Sequence, residues 1–238
     1  MKNDISLIFP MAGQGARFGY KFKPFLEFDG KGEFIKQAFK TFQNHLKYFN
    51  KIVFVYLDSQ EKEYNVSLNL NRIFSDIKFE ICLLEKPTNG PGETVKAALA
   101  KSEISGPIIV CDCDHTLNID EFMEKIQSTD IDCLLPVWSL AEENIKSWSI
   151  VSIIKGGKVA GIAEKELPTT HGEFFGVIGC YYLKDSKSIS SGSYKNISDY
   201  IKQILKQKGS VEAIRIREAS FFGDPERLKK SLKLAQSS

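Results

Sequence analysis

Apolar residues recur along this chain in two rhythms. Residues 5–10 (ISLIFP), 51–58 (KIVFVYLD), 78–85 (KFEICLLE) and 107–113 (PIIVCDC) are short runs, apolar at nearly every position. They read as strands buried on both faces. Between them lie longer segments with apolar residues three or four apart, which predict helices near 33–46, 60–74 and 93–103. In the first of these Phe34, Ile35, Ala38, Phe39, Phe42 and Leu46 fall on one side, a stripe suited to covering a sheet. Strand and helix in alternation predict an α/β fold, a Rossmann-like, mostly parallel sheet flanked by helices.

After a helix near 118–127 and a strand at 132–138 the rhythm changes. WSIVSIIKGGKVAGIAEKE holds two β-rich runs joined by Lys155-Gly156-Gly157-Lys158. Paired glycines supply the positive φ of a tight turn, so a hairpin is expected there. A strand at 174–183, a helix at 196–207, a strand at 211–217 and a closing helix at 224–236 complete the map. The second half is thus a mixed β addition to a parallel first half. With 238 residues, 42% of them hydrophobic, and no repeat or low-complexity linker, the chain is expected to form a single domain over 1–238.

Charge removes two classes of partner. Lys and Arg number 32 and Asp and Glu 30, a net charge of +2, so no bulk excess points to nucleic acid or an acidic membrane surface. Any anion site must be local. The longest apolar runs, such as 52–57 and 108–111, fall far short of the roughly 20 residues that span a bilayer. The start, MKNDISLIFP, has an acid ahead of its apolar run and no small-residue cleavage pattern, so no signal peptide is expected and the cytoplasm is the expected location. Cys82, Cys111, Cys113, Cys133 and Cys180 read as buried, reduced thiols. Cys111 and Cys113 lack a second pair at zinc spacing.

Local anion chemistry is concentrated in FPMAGQGARFGYKFKPFLEF, residues 9–28. Gly13-x-Gly15 is followed by Gly19, one position late for the dinucleotide fingerprint, and no Gly-Lys-Ser/Thr follows as a P-loop would need. In both of those motifs a helix opens inside the loop. Here Pro24 and an Asp29-Gly30 turn delay the helix to about residue 33. Phosphate binding would therefore rely on backbone N–H groups freed by the glycines, on the planar fork of Arg17, on Lys21, and on Lys23 beside Pro24. A solvated turn with incidental cations is the alternative.

FPMAGQGARFGYKFKPFLEFDGKGEFI resembles the N-terminal signature of sugar-nucleotidyltransferase-like enzymes, G-x-G-x-R followed by K-P. The resemblance implies an NTP whose triphosphate lies on Met11, Ala12, Gly13, Gln14, Gly15 and Arg17, with Lys23 near the α-phosphate. EKPTNGPGETVKAAL (85–99) is similar to the turn that closes over the base in that family, which implies nucleotide contacts among Lys86, Gly92, Glu93 and Thr94. A loop that simply starts a helix reads equally from the residues. A carboxylate at Glu93 could accept from the exocyclic amine of cytosine, which uracil lacks, so CTP is the favoured donor.

IIVCDCDHTL places Asp112 and Asp114 at the C-terminal end of a buried strand, where ligands of open α/β sheets bind. Carboxylates at i and i+2 share a face and repel one another, an arrangement suited to a cation, and an all-oxygen site suits Mg²⁺. A strand end with solvated acids is the alternative. The resemblance implies Asp114 as metal ligand with Asp112 beside it, touching metal and nucleotide. It further implies that Lys165 of the Glu164-Lys165 pair binds the acceptor's phosphate, and that Gly176 and Gly179 of FFGVIGCYYL let the acceptor lie against backbone. Those glycines could also mark a bulge. Tyr181 and Tyr182 read as packing.

The expected reaction is transfer of a nucleoside monophosphate, CMP favoured, to the phosphate of a small acceptor, a sugar phosphate or a phosphoglutamine-like molecule. Overall likeness points to the short cytidylyltransferases of capsule or surface-polysaccharide precursor synthesis, including the CTP:phosphoglutamine type. Two other readings stand. Asp112-x-Asp114 fits the D-x-D of metal-dependent glycosyltransferases, which have no need of a triphosphate loop. Many family members carry a second metal aspartate near the end of the chain, where SFFGDPERL has Phe221. That departure motivates an inactive nucleotide-binding regulator. Asp224 could replace the missing ligand, or cap a helix that has Pro225 at its first position.

Overall fold

In a computed structural model, residues 4–28, 30–141, 143–187, 189 and 192–236 are described. The first half builds the parallel sheet that its buried runs predict. Strands β1 (Ile5–Pro10), β2 (Phe49–Leu57), β3 (Glu80–Leu84) and β4 (Ile108–Cys111) lie in the order β3-β2-β1-β4, every pairing parallel. Both faces are covered, one by Phe9, Phe54 and Tyr56 under α1 (Phe34–Lys40), the other by Ile8, Val53 and Val110 under α4 (Pro91–Lys101). Phe9 packs on Phe39, Phe42 and Phe54 with ring centroids 5.3–6.0 Å apart.

Two predicted helices are shorter than their periodicity suggests. The segment 33–46 is helical to Lys40 and continues as a tighter 3-10 turn over Gln43–Tyr48, though Phe42 stays fully buried. The segment 60–74 divides into α2 (Asp58–Tyr64) and α3 (Val66–Ile73) at Asn65, whose left-handed φ of 47° ends the first helix. Asparagine is, after glycine, the residue that most readily takes that conformation at a helix end. Of the predicted Asp29-Gly30 turn, Asp29 lies outside the described residues. The Phe28 N–H donates to the Gly32 carbonyl at 3.0 Å, and the helix begins at Phe34.

The second half adds β5 (His115–Leu117), α5 (Asp120–Ser128), β6 (Cys133–Ser139), β7 (Ser149–Ile153) and β8 (Val159–Glu164), then β9 (Glu173–Val177) and β10 (Cys180–Leu183). It ends with α6 (Ile197–Lys206), β11 (Val211–Arg215), β12 (Ala219–Phe221) and α7 (Pro225–Gln236). The predicted hairpin is β7 and β8, paired antiparallel. The predicted single strand at 174–183 is two. Both pieces lie beside β6, but the opposite edge switches from β7, paired by β9, to β4, paired by β10. Ile178 and Gly179 sit at the switch, the Ile178 N–H still donating to the Pro136 carbonyl of β6 at 2.9 Å. The path of the sheet is β3-β2-β1-β4-β10-β6-β9-β7-β8, with β11 alongside β6, so a mixed addition joins the parallel half as expected.

Five cysteines are free and buried, as the sequence suggests. Among the described residues no helix is long and apolar enough to cross a membrane.

Candidate active site

The loop after β1 is shaped by backbone contacts before any ligand is considered. The Met11 N–H donates to the Val55 carbonyl at 2.7 Å, keeping the chain in line with the sheet, and Met11 and Ala12 are buried. Gly13 and Gln14 are exposed, and the Gly13 carbonyl accepts from Gln60 Nε2 at 3.1 Å. Gly15 takes φ 65°, and its carbonyl receives the N–H groups of Phe18 (2.8 Å) and Tyr20 (3.1 Å). A Cβ at residue 15 would lie 2.0 Å from the Lys21 carbonyl oxygen, so only glycine fits the turn. Arg17 follows on a single 3-10 turn, exposed, and lines all three cavities at this end of the molecule.

Lys23 opens a second 3-10 turn with Pro24, anchored by buried Phe22, which stacks on Tyr64 at 5.3 Å. The turn aims Lys23 inward. Its Nζ donates to Asp114 Oδ2 at 2.7 Å. Asp114 and Asp112 stand just past β4, as the strand-end argument expects. The Asp112 N–H donates to the Gly179 carbonyl at 2.7 Å, so the switch in the split strand is also what fixes Asp112. Two glycines make room for the pair. A Cβ on Gly179 would sit 2.2 Å from Asp112 Oδ2, and one on Gly223 would sit 2.6 Å from Asp114 Oδ2.

The two carboxylates are held in different states. Burial, together with the charge of Asp114, pushes Asp112 up to about 6. Burial acts upward on Asp114 too, but the Lys23 ammonium and the contact with His115 outweigh it and hold Asp114 well below the usual carboxylate range. Burial opposes the charge on Lys23, and Asp114, Cys113 and Asp112 together more than offset it, so Lys23 stays an ammonium ion. Buried His115 places Nδ1 3.4 Å from Asp114 Oδ1 and Nε2 3.6 Å from Cys111 Sγ.

Two cavities meet at the Asp112–Asp114 pair. One, of about 430 Å³, is lined by Gly13, Gly15, Arg17, Lys23, Pro91 and both aspartates, among others. The other, of about 270 Å³, includes Glu164, Lys165, Gly179 and Tyr181 with the same aspartates. In the second, Glu164 accepts from Ser149 Oγ at 2.6 Å and from Ser198 Oγ. Lys165 is exposed on a left-handed turn, φ 59°, its N–H donating to the Trp148 carbonyl at 2.8 Å.

Not every sequence candidate reaches a cavity. Of the 86–94 loop only Pro91 lines these two. Lys86 is exposed away from both, the Thr94 hydroxyl bonds Thr88 Oγ1 at 2.6 Å, and Glu93 accepts from the Asn89 N–H and Nδ2, both at 3.0 Å. Gly176 lines neither cavity; a Cβ there would lie 2.7 Å from the Trp148 ring, so the glycine admits the indole. Asp224 Oδ1 accepts from the Arg227 N–H at 3.0 Å, the capping contact, and Oδ2 lies 3.5 Å from Arg227 Nε. It lines a third cavity, not the two that hold Asp114.

Other residues enter without a sequence signal. Arg227 lies 4.4 Å over the Trp148 ring and is paired with Glu143 at 3.2 Å. Phe221, at the position where the resemblance implies a second metal aspartate, packs edge-on to Trp138 and Trp148, both at 5.3 Å. Tyr181, read from sequence as packing, lines the second cavity. Gly223 and Gln60 complete the set, and nothing local in the sequence distinguishes them.

No family model and no curated protein matches this chain. Solved structures do. The fold is similar to a nucleoside-diphosphate-sugar pyrophosphorylase from Vibrio cholerae RC9, with a TM-score of 0.74 at 20% identity over 95% of this chain and 99% of that one. It is similar to the inositol-1-phosphate CTP transferase from T. maritima, TM-score 0.73 at 13% identity over 98% and 97% of the two chains. A UDP-glucose pyrophosphorylase complexed with UDP-glucose gives 0.75 at 15% identity over 100% and 99%. At these identities the likeness establishes the fold, the Rossmann-like sheet that such enzymes share.

Proposed function

We propose that this chain is a single-domain nucleotidyltransferase that moves a nucleoside monophosphate, CMP favoured, from an NTP to the phosphate of a small acceptor and releases pyrophosphate. The observation that carries the reading is the Lys23 Nζ contact with Asp114 Oδ2 at 2.7 Å, which joins the G-x-G-x-R loop and the aspartate pair in one cavity. The solved structures of like fold are named for pyrophosphorylase and CTP transferase activities, which agrees with this choice.

In this reading Met11–Gly15 backbone and Arg17 take the β and γ phosphates, and Lys23 lies beside the α-phosphate. Lys165 holds the acceptor's phosphate in the second cavity, with Glu164 and Gly179 shaping its wall. An acceptor phosphate oxygen attacks the α-phosphorus in line, the bond to the bridging β-phosphate oxygen breaks, and pyrophosphate leaves. Little covalent work falls to the protein, so rate comes from positioning and from cations placed where charge develops. Two carboxylates that share a strand end suit Mg²⁺, an oxygen-seeking ion. Asp114 and Asp112 would hold it, and it would neutralise phosphate charge. Asp224, which bonds Arg227 and lines a neighbouring cavity, is in this reading the helix cap and not part of that pair.

The preference for CTP, and a place in capsule or surface-polysaccharide precursor synthesis, rest on the sequence resemblance. Relaxed selection of CTP over UTP in Glu93→Ala supports a base-reading role; an unchanged ratio of kcat/KM values leaves Glu93 to its turn with Asn89. The reaction itself is tested by measuring pyrophosphate release from each of four NTPs with a panel of sugar phosphates and phosphoglutamine. Release of a nucleoside diphosphate from a sugar nucleotide, with no pyrophosphate from any NTP, would assign the D-x-D pair to a glycosyltransferase. Tight nucleotide binding without turnover would make the chain a regulator.

A further inference from the structure

The loop that opens α4 touches the wall of the second cavity. The Gly92 N–H donates to the Lys195 carbonyl at 2.9 Å, and one turn on, Lys96 Nζ donates to the Gly192 carbonyl at 2.5 Å. Both glycines of Gly90-Pro91-Gly92 face that segment. A Cβ at residue 90 would lie 2.4 Å from the Lys195 carbonyl oxygen, and one at residue 92 would lie 2.4 Å from the Tyr194 carbonyl oxygen. Side chains do not come so close to backbone oxygen, so the contact requires glycine at both positions.

The contacted segment continues directly into the cavity. Asn196 and Ile197 line it, and the buried Ser198 hydroxyl donates to Glu164, the acidic member of the same wall. The Asn196 N–H is in turn held by Asp199 Oδ2 at 3.1 Å. A chain of direct bonds therefore runs from Gly92 through Lys195–Ser198 to Glu164.

We infer that Gly90 and Gly92 are positioning residues for the acceptor wall, seating residues 194–198 so that Ser198 holds Glu164, and that they do not select the base. This rests on the second cavity being the acceptor's. It also gives a use to Gly90 and Gly92, which line neither cavity although Pro91 between them lines both. Displacing the segment would loosen Glu164 and keep the contact between Lys23 and Asp114.

Hydrogen exchange of the full chain tests the seating without any ligand. Losing one net hydrogen bond of about 1.4 kcal/mol raises local opening about tenfold, so Gly92→Ala should speed exchange across 193–199 by about that factor, with β1 and β4 unchanged. Unchanged exchange at 193–199 overturns the inference. In the pyrophosphate assay the same variant should raise the acceptor KM about tenfold and hold the NTP KM, the signature of an interaction that serves one substrate only. A raised NTP KM with an unaltered acceptor KM returns the loop to the base and overturns it as well. Lys96→Met adds no bulk against the segment, so it serves where Gly92→Ala fails to fold; it should shift exchange and acceptor KM in the same direction. Wild-type protein that releases no pyrophosphate defeats the proposed reaction alone, and exchange then decides whether the wall is seated by Gly92.

Discussion

Lys23 Nζ lies 2.7 Å from Asp114 Oδ2, although the two residues are 91 positions apart. The loop after β1 and the end of β4 come together because β1 and β4 are parallel neighbours, with Ser6 beside Ile108 and Ile8 beside Val110. Parallel pairing brings the C-terminal ends of both strands to one edge, so a loop leaving β1 and a carboxylate leaving β4 must meet there.

Lys23→Ala and Asp114→Ala should each lower kcat by roughly 10²–10³, the usual loss when one preorganised charge partner is removed. The fold should survive. The side chains are 27% and 20% exposed, so water can replace the missing partner. Turnover with saturating NTP and the far-ultraviolet dichroism spectrum check both halves, and wild-type kcat in either variant would remove that residue from the chemistry.

Asp112 sets a pH dependence of stability in metal-free protein. Its proton is held up to about 6 in the folded chain, above the ordinary aspartate value near 4. Between those values the folded state binds more protons than the unfolded state, so this contribution is full at low pH and is lost as pH rises through about 6. Asp112→Asn should remove the loss and stabilise the protein above that range by on the order of 1–2 kcal/mol. Thermal unfolding in chelator at pH 4.5 and pH 8 checks it; a variant no more stable than wild type at pH 8 contradicts the raised proton affinity of Asp112.

Gly179→Ala places a methyl carbon 2.2 Å from Asp112 Oδ2. The carboxylate must turn aside or the strand switch must shift, and a displacement of about 1 Å at a reacting centre can cost on the order of 10²-fold in rate. We expect kcat to fall by that order with the NTP KM little changed. Steady-state kinetics decides this, and near-normal kcat would mean that Asp112 is free to move without effect.

Asp224→Ala separates the cap from the metal ligand. Losing the bond from the Arg227 N–H should cost about 1 kcal/mol of stability, as N-cap removals do, and leave kcat near wild type. A fall in kcat of about 10²-fold, out of proportion to the stability change, would place Asp224 in the reaction.

The parallel half and its loop follow from local pattern. Strands buried on both faces must be apolar at nearly every position, so β1, β2 and β4 are legible as runs, and the residues that break a run for a chemical reason, Gly13 to Arg17, Lys23-Pro24, Asp112 and Asp114, stand out against them. The hairpin of β7 and β8 is legible because a tight turn must be made by its own residues. What faces what depends on how the elements pack. FFGVIGCYYL reads as one strand because every position remains buried or paired, yet it changes partner at Gly179, a residue that lines the second cavity and holds Asp112. Gly176, Gly179 and Gly223 look alike as letters, but one admits Trp148 and the other two admit a carboxylate. Trp148 and the Phe221–Arg227 stretch, more than 70 positions away, form one cluster. Periodicity reports how a residue relates to its own strand or helix. Contacts across the sheet depend on strand order and register, which no local pattern encodes.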